Sequence, residues 1–226
     1  MPSSRPNAIP TVVHVVRQLD PESILDVGVG FGKWGLLFRE YSDIRASEDE
    51  PGRYPRSGWK VRIEGIEGFP DYLTPVHDYV YDRIHRGLAQ EVVAGLGEYD
   101  VVHVGDMIEH LDKRDGLALL EALLAKARRA LIVSTPKYDT HQSQLVGNEL
   151  ERHLSVWSKR DFEHFPGANV RTVDGTLLIA VIVKPGVPVP RIRPALSGAP
   201  RGLRGLCVRA PELLARALDR LRARPA

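Results

Sequence analysis

Ile24-Leu25-Asp26-Val27-Gly28-Val29-Gly30-Phe31-Gly32-Lys33-Trp34-Gly35 decides how the chain is read. A short apolar run with one embedded acid breaks into three glycines at alternate positions and then into a helical pattern. That is a strand, a tight loop and a helix start. Glycine admits positive φ and lets a ligand approach the backbone without Cβ contact. Glycine-rich strand-to-helix turns serve several nucleotide cofactors, so the loop alone does not select one. Asp26 is more selective. A carboxylate two residues before the first glycine repels a pyrophosphate but accepts hydrogen bonds from an ammonium, such as the one at the methionine end of S-adenosylmethionine (SAM).

Downstream, Tyr99-Asp100-Val101-Val102-His103-Val104-Gly105 reads as a buried strand that runs into Asp106-Met107-Ile108-Glu109-His110-Leu111. In an open α/β sheet, ligands bind at the carboxyl ends of the strands. The two segments together resemble motif I and the fourth strand of the class I SAM-dependent methyltransferases, and the resemblance runs in order over about residues 9–183. It implies a Rossmann-like α/β fold, with a mostly parallel seven-stranded sheet, an antiparallel edge strand and helices on both faces. It further implies SAM as cofactor, held by Asp26, Gly28, Gly30, Gly32, Asp106 and Met107.

Between these motifs, residues 9–19 carry Ile9, Val12, Val13, Val16 and Leu19 at helical spacing. The first strand is expected at about 23–28 and the first core helix at 33–41. Residues 42–58 are rich in charge, Gly and Pro and read as an inserted loop whose Glu48-Asp49-Glu50 triplet is solvated. The second strand, about 60–66, ends at Glu67. An acid there can take both ribose hydroxyls, and the insert explains its long separation from the glycine loop. Phe69 is a candidate wall for the adenine. A helix is expected at 70–77 and a third strand at 80–85. Many class I methyltransferases follow that strand with an acid for the adenine amino group; here Gly87-Leu88-Ala89-Gln90 stands instead, with Gln90 as substitute.

Asp112 is placed to cap a helix over 113–128 whose buried side carries Leu117, Leu120, Leu124 and Ala127. The fifth strand is expected at 130–134. Residues 137–156 form a long polar loop, and a loop of that length inside a compact domain is commonly functional. Its end, Glu151-Arg152-His153-Leu154-Ser155-Val156-Trp157, is similar to a Glu-x-His-x-Ser-x-Trp pattern in one branch of the superfamily. Tyr138, Gln142, Asn148, Glu151 and Trp157 are the expected contacts for the methyl acceptor. Residues 169–173 and 176–183 flank Asp174-Gly175, a hairpin signal.

Methyl transfer to a hydroxyl needs in-line alignment and removal of a proton. His110 and His153 are the candidate bases, with Asp106 as a further catalytic residue and Glu151 able to orient an imidazole. His103, amid valines, reads as a core residue, and His77 is given no chemistry. No metal-ligand spacing stands out, and none is expected.

The whole chain of 226 residues, with 43% hydrophobic and 27% charged residues, fits one globular domain over 1–184 plus a tail over 185–226. Lys184–Ala226 holds ten Lys/Arg against two acids, a balance of +8; with +2 for the whole chain, residues 1–183 carry −6. The tail reads as a linker followed by a basic helix over 212–224. A solvated arm, a homodimer contact and a nucleic-acid partner are all open to it. Cys207 stands alone, so no internal disulfide forms. No run is long enough to span a membrane, and the cytoplasm is the expected location. The expected activity is methyl transfer to a small polar acceptor, a hydroxyl of a sugar or natural-product intermediate. An RNA-directed methyltransferase and an NAD-dependent oxidoreductase are the alternatives, and a binding scaffold without turnover also stays open.

Overall fold

In the computed structural model, residues 5–138, 142–143 and 147–192 are described. Seven strands form one sheet in the order β3-β2-β1-β4-β5-β7-β6. They are β1 (Ser23–Val27), β2 (Arg62–Glu67), β3 (Arg83–Arg86), β4 (Tyr99–Gly105), β5 (Ala127–Pro136), β6 (Ala168–Val173) and β7 (Leu177–Val183). All neighbouring pairs from β3 to β5 are parallel. β7 runs antiparallel to both β5 and β6, so the hairpin closes this side of the sheet with β7 one place in from the rim.

The central strands are apolar almost throughout because both faces are covered. Leu25, Val27, Val102, Val104, Leu131 and Val133 face one core beneath α5 (Lys113–Lys126) and the short α4 (Ala89–Val92). Ile24, Val101, Ile132 and Ile179 face the other, beneath α1 (Ile9–Leu19), α2 (Lys33–Arg39) and α3 (Pro75–Val80). Asp26 and His103 lie directly opposite each other in the β1–β4 register.

Several boundaries differ from those expected, each for a local reason. Arg128 and Arg129 do not end the α5 helix; they open β5. Arg128 donates to Asp100 Oδ1 (3.1 Å) and Ser23 Oγ (3.0 Å), and Arg129 to the carbonyls of Leu19 and Asp20. The buried stripe of α5 is Gly116, Leu119, Leu120 and Leu123, not the one through Leu117 and Leu124. The leucines offer two overlapping stripes, and Gly116 settles the choice by admitting the ring of Trp157: a Cβ there would stand 2.6 Å from its Cζ2. Residues 70–80 are two pieces, a 3-10 turn at Pro70–Tyr72 and α3, because Pro75 restarts the helix with Thr74 and His77 as a capping box.

The insert over 42–58 is a series of helical turns tied to the body. Buried Asp43 takes Arg39 (2.6 Å), Arg53 and the Lys60 N–H (2.8 Å). These contacts outweigh its burial and hold its pKa below the usual carboxylate range. Glu48, Asp49 and Glu50 are at the surface, with Glu50 paired to Lys60 (2.6 Å). Residues 185–192, read as linker, return to the body. Val187 and Ile192 pack on the second core, and the Arg191 N–H meets Gln18 Oε1 (2.9 Å). The basic helix expected over 212–224 lies outside the described residues. Among the described residues, no helix is long and apolar enough to cross a membrane.

Candidate active site

The carboxyl ends of β1, β2 and β4 open into a concave cleft, the kind of surface where small molecules bind. Its floor is the glycine loop. Gly28 and Val29 N–H both donate to Ile66 O (2.9 and 3.1 Å), which docks the loop on β2. Gly28, Gly30 and Gly32 have φ of 76°, 53° and 80°, a region that side chains disfavour. A Cβ on Gly28 would also stand 3.0 Å from Met107 Cγ. Gly28 and Gly30 line the cleft; Gly32 is instead the residue preceding α2.

Glu67, at the end of β2, lines the cleft although only 6% exposed. Its Oε2 accepts from Gly30 N–H (2.9 Å) and its Oε1 from Phe69 N–H (2.8 Å). The carboxylate is thus fixed to the loop with a lone pair left on each oxygen. Burial raises its pKa against these two donors. Phe69 does not form the wall expected for an adenine: its ring turns to Tyr72 (centroids 4.9 Å apart). Leu88, Ala89, Gln90 and Leu150 line that end instead, and Gln90 stands where a substitute for the missing acid was expected.

Asp26 is absent from the lining. It is fully buried under the loop, where its carboxylate accepts from Tyr81 O–H (2.7 Å) and meets His103 Nδ1 (2.9 Å). The strand pleat that puts Asp26 opposite His103 aims both away from the cleft. Direct contact between Asp26 and a ligand ammonium is therefore corrected to a role beneath the loop. Tyr81 also accepts from Gly35 N–H (3.1 Å), and His77 Nε2 lies 2.8 Å from Gly30 O. α3 and its end thus hold the glycine loop from behind, a role that no spacing in the sequence signals.

Asp106, at the end of β4, also lines the cleft, with φ of 50°. It accepts from Arg5 N–H (2.9 Å), and Lys33 stands near enough to favour its charge. Burial nevertheless raises the Asp106 pKa, and burial lowers that of Lys33, which also faces the cleft. An acid and an ammonium lining one cleft match the two charges of an amino-acid head group. Met107 lines the same wall.

The loop after β5 folds back over this edge. Leu154 and Ser155 N–H donate to the backbone carbonyl of Glu109 (2.8 and 3.1 Å). Glu151 accepts from Tyr72 O–H (2.9 Å) and from Gln142 Nε2 (2.9 Å), and Asn148 Nδ2 donates to Tyr72 (3.1 Å). Three residues expected at the acceptor end, Gln142, Asn148 and Glu151, are thus joined through Tyr72, and Asn148, Glu151 and Tyr72 line the cleft. The other two are not. Trp157 is fully buried, its Nε1 donating to Ser155 Oγ (2.9 Å) and Ile108 O (3.3 Å), so it anchors the loop. Tyr138 is exposed and outside the lining.

His110 lines the cleft and His153 stacks edge-on behind it, 4.8 Å between centroids. Burial lowers the His110 pKa, which keeps its imidazole neutral and able to accept a proton near pH 7. Glu109, given no role from the sequence, is fully buried below them and accepts from Thr135 Oγ1 (3.0 Å). Burial, then the charge of Asp106, pushes its pKa well up.

Sheet order and cleft position together define the fold of the class I SAM-dependent methyltransferases. No family model and no curated protein sequence matches the chain. Among solved structures, the methyltransferase domain of bacterial CtHen1 is similar at 20% identity and a TM-score of 0.52, over 79% of this chain and 98% of that one. An O-methyltransferase family protein from Burkholderia thailandensis is similar at 14% identity and a TM-score of 0.52, over 79% of this chain and 57% of that one. CalS10, a SAM-bound amino pentose methyltransferase from Micromonospora echinaspora involved in calicheamicin biosynthesis, is similar at 14% identity and a TM-score of 0.50, over 77% and 89%. At these identities the likeness speaks for the fold.

Proposed function

We propose that the chain is a SAM-dependent methyltransferase that methylates a hydroxyl of a small polar acceptor. The observation that carries this reading is that Glu67, fixed to the glycine loop through Gly30 N–H, lines the same cleft as Asp106 and Lys33. In this reading Glu67 takes the ribose hydroxyls, Asp106 the methionine ammonium and Lys33 its carboxylate. The adenine then falls between Leu88, Ala89 and Leu150, near Gln90.

The acceptor enters from the side of Tyr72, Asn148, Glu151 and His110. These groups donate and accept hydrogen bonds, as recognition of a hydroxylated molecule requires; an amino pentose methyltransferase shares the fold. In the reaction, the acceptor O–H bond breaks as the proton passes to a base on the His110–His153 wall. The oxygen bonds to the methyl carbon, and the carbon–sulfur pair returns to sulfur. Products are the methyl ether, S-adenosylhomocysteine and a proton. Alignment supplies much of the rate, and the loop clamped on Glu109 helps exclude water.

Incubation with methyl-labelled SAM and a panel of sugars and hydroxylated aromatics tests the reading. It expects label in an ether product with one acceptor class; label appearing only in nitrogen- or carbon-methylated products would contradict O-methylation.

A further inference from the structure

Two imidazoles and a buried carboxylate converge at the acceptor end of the cleft. Glu109, His110 and His153 each offer a ligand atom, and these atoms all lie within 4.8 Å of one another. We infer that Glu109, His110 and His153 form a binding site for one divalent first-row transition ion at the acceptor end of the cleft. The inference rests on the methyltransferase reading above and names how its acceptor oxygen would be held.

Three features favour an ion over a chance cluster. First, the surroundings fix the donors in place. His110 Nδ1 lies 3.1 Å from the Arg152 carbonyl, a geometry in which Nδ1 carries the proton and Nε2 is the free ligand atom. Glu109 Oε2 is held by Thr135. Second, the site joins two distant segments. The backbone bonds from Leu154 and Ser155 to Glu109 O bring His153 over Glu109, although 43 positions separate His153 from His110. That separation is why no ligand spacing shows in the sequence, and the expectation of no metal is revised here on this geometry. Third, burying a carboxylate without a compensating charge is costly, and a cation beside Glu109 would offset that cost.

The donor set selects the ion. Two imidazole nitrogens and one carboxylate oxygen suit Zn²⁺, Mn²⁺, Co²⁺ or Fe²⁺, whereas Mg²⁺ and Ca²⁺ prefer oxygen alone. Three protein ligands leave open positions. His110 faces the cleft, so an open position there would take the acceptor oxygen, hold it on the methyl axis and lower its pKa.

The test uses the full chain without an affinity tag, stripped by a chelator and dialysed. Co²⁺ is titrated calorimetrically and by its visible ligand-field bands, against the parent and His153→Ala, with a SAM titration of each in parallel. His153 is only partly buried, so its loss should leave the fold intact, and retained SAM binding verifies this. Expected are one Co²⁺ per chain in the parent and at least ~10-fold weaker binding in the variant. Glu109→Gln should weaken Co²⁺ in the same way. Absence of a saturable Co²⁺ site, or equal Co²⁺ binding by parent and His153→Ala, overturns the inference. If that happens while SAM still binds, the methyltransferase reading stands with imidazole as base; a parent that binds Co²⁺ but not SAM sinks the cofactor reading alone.

Discussion

Replacing Glu67 by Gln keeps the shape of the side chain and removes its charge. In the parent, each carboxylate oxygen spends one lone pair on the backbone, at Gly30 and Phe69, and keeps one, which the proposed ribose contact would use. The amide retains one acceptor and turns an NH₂ toward one of those backbone donors. One charge-assisted bond to ribose, about 1.5–3 kcal/mol, is therefore lost and the loop is disturbed. The account predicts about 2–3 kcal/mol weaker SAM binding, or roughly 30–150-fold in Kd. Calorimetric titration at near-neutral pH measures it, with circular dichroism to verify the fold. The pH dependence sharpens the test. Burial raises the Glu67 pKa, and ribose hydroxyls donate to its ionised form. Parent affinity should thus fall as pH drops through a value above the ordinary glutamate range, while the variant stays flat there. A change in Kd below about threefold would refute the ribose assignment.

Other perturbations test how the site is supported. Tyr81→Phe removes the O–H between Asp26 and Gly35 and leaves a buried carboxylate one donor short, so it should cost about 1–3 kcal/mol in urea unfolding; an unchanged midpoint would mean that this network does not bear on stability. Gly116→Ala gains up to about 1 kcal/mol of helix propensity but drives a Cβ to 2.6 Å from the Trp157 ring, an overpacking cost of about 1–3 kcal/mol. The net result should be a destabilised protein, and a rise in melting temperature would contradict the packing described. Glu64 is held down at about 2, because hydrogen bonds from Tyr99, His85 and Arg62 overcome the effect of burial. Unscreened, that would be worth roughly 3 kcal/mol; partial solvent access cuts it to about 1–2 kcal/mol. Since its folded pKa lies below the unfolded one, the benefit is present above the ordinary glutamate range and is lost as pH falls toward about 2. Glu64→Gln should therefore trail the parent in urea midpoint at neutral pH and match it near the acid end.

The sheet was legible because its signals are local. Apolar runs broken by glycine, the cap at Asp112 and the turn at Asp174-Gly175 each depend on a few neighbouring residues. The position of Glu67 at the end of β2, in the cleft lining, was legible for the same reason. Asp26 was misread because alternation along a strand decides which way its side chain points, and the partner that claims it, His103, lies 77 positions on. Trp157 carries an indole N–H that suits a substrate, yet Gly116 makes room for its ring in the core. Lys33 and Glu109 stand inside the two motifs but were given no role there, and Tyr72 lies in no motif; Tyr72 came into view only through its contacts with Asn148 and Glu151 in the distant loop after β5. The choice of stripe on α5 depended on Trp157, which periodicity does not contain.

The most direct measurement is a calorimetric titration of the purified chain with SAM, S-adenosylhomocysteine and NADH in parallel. The account predicts micromolar binding of both adenosyl ligands at one site per chain and no heat from NADH. Binding of NADH alone would contradict the cofactor assignment and return the cleft to hydride transfer.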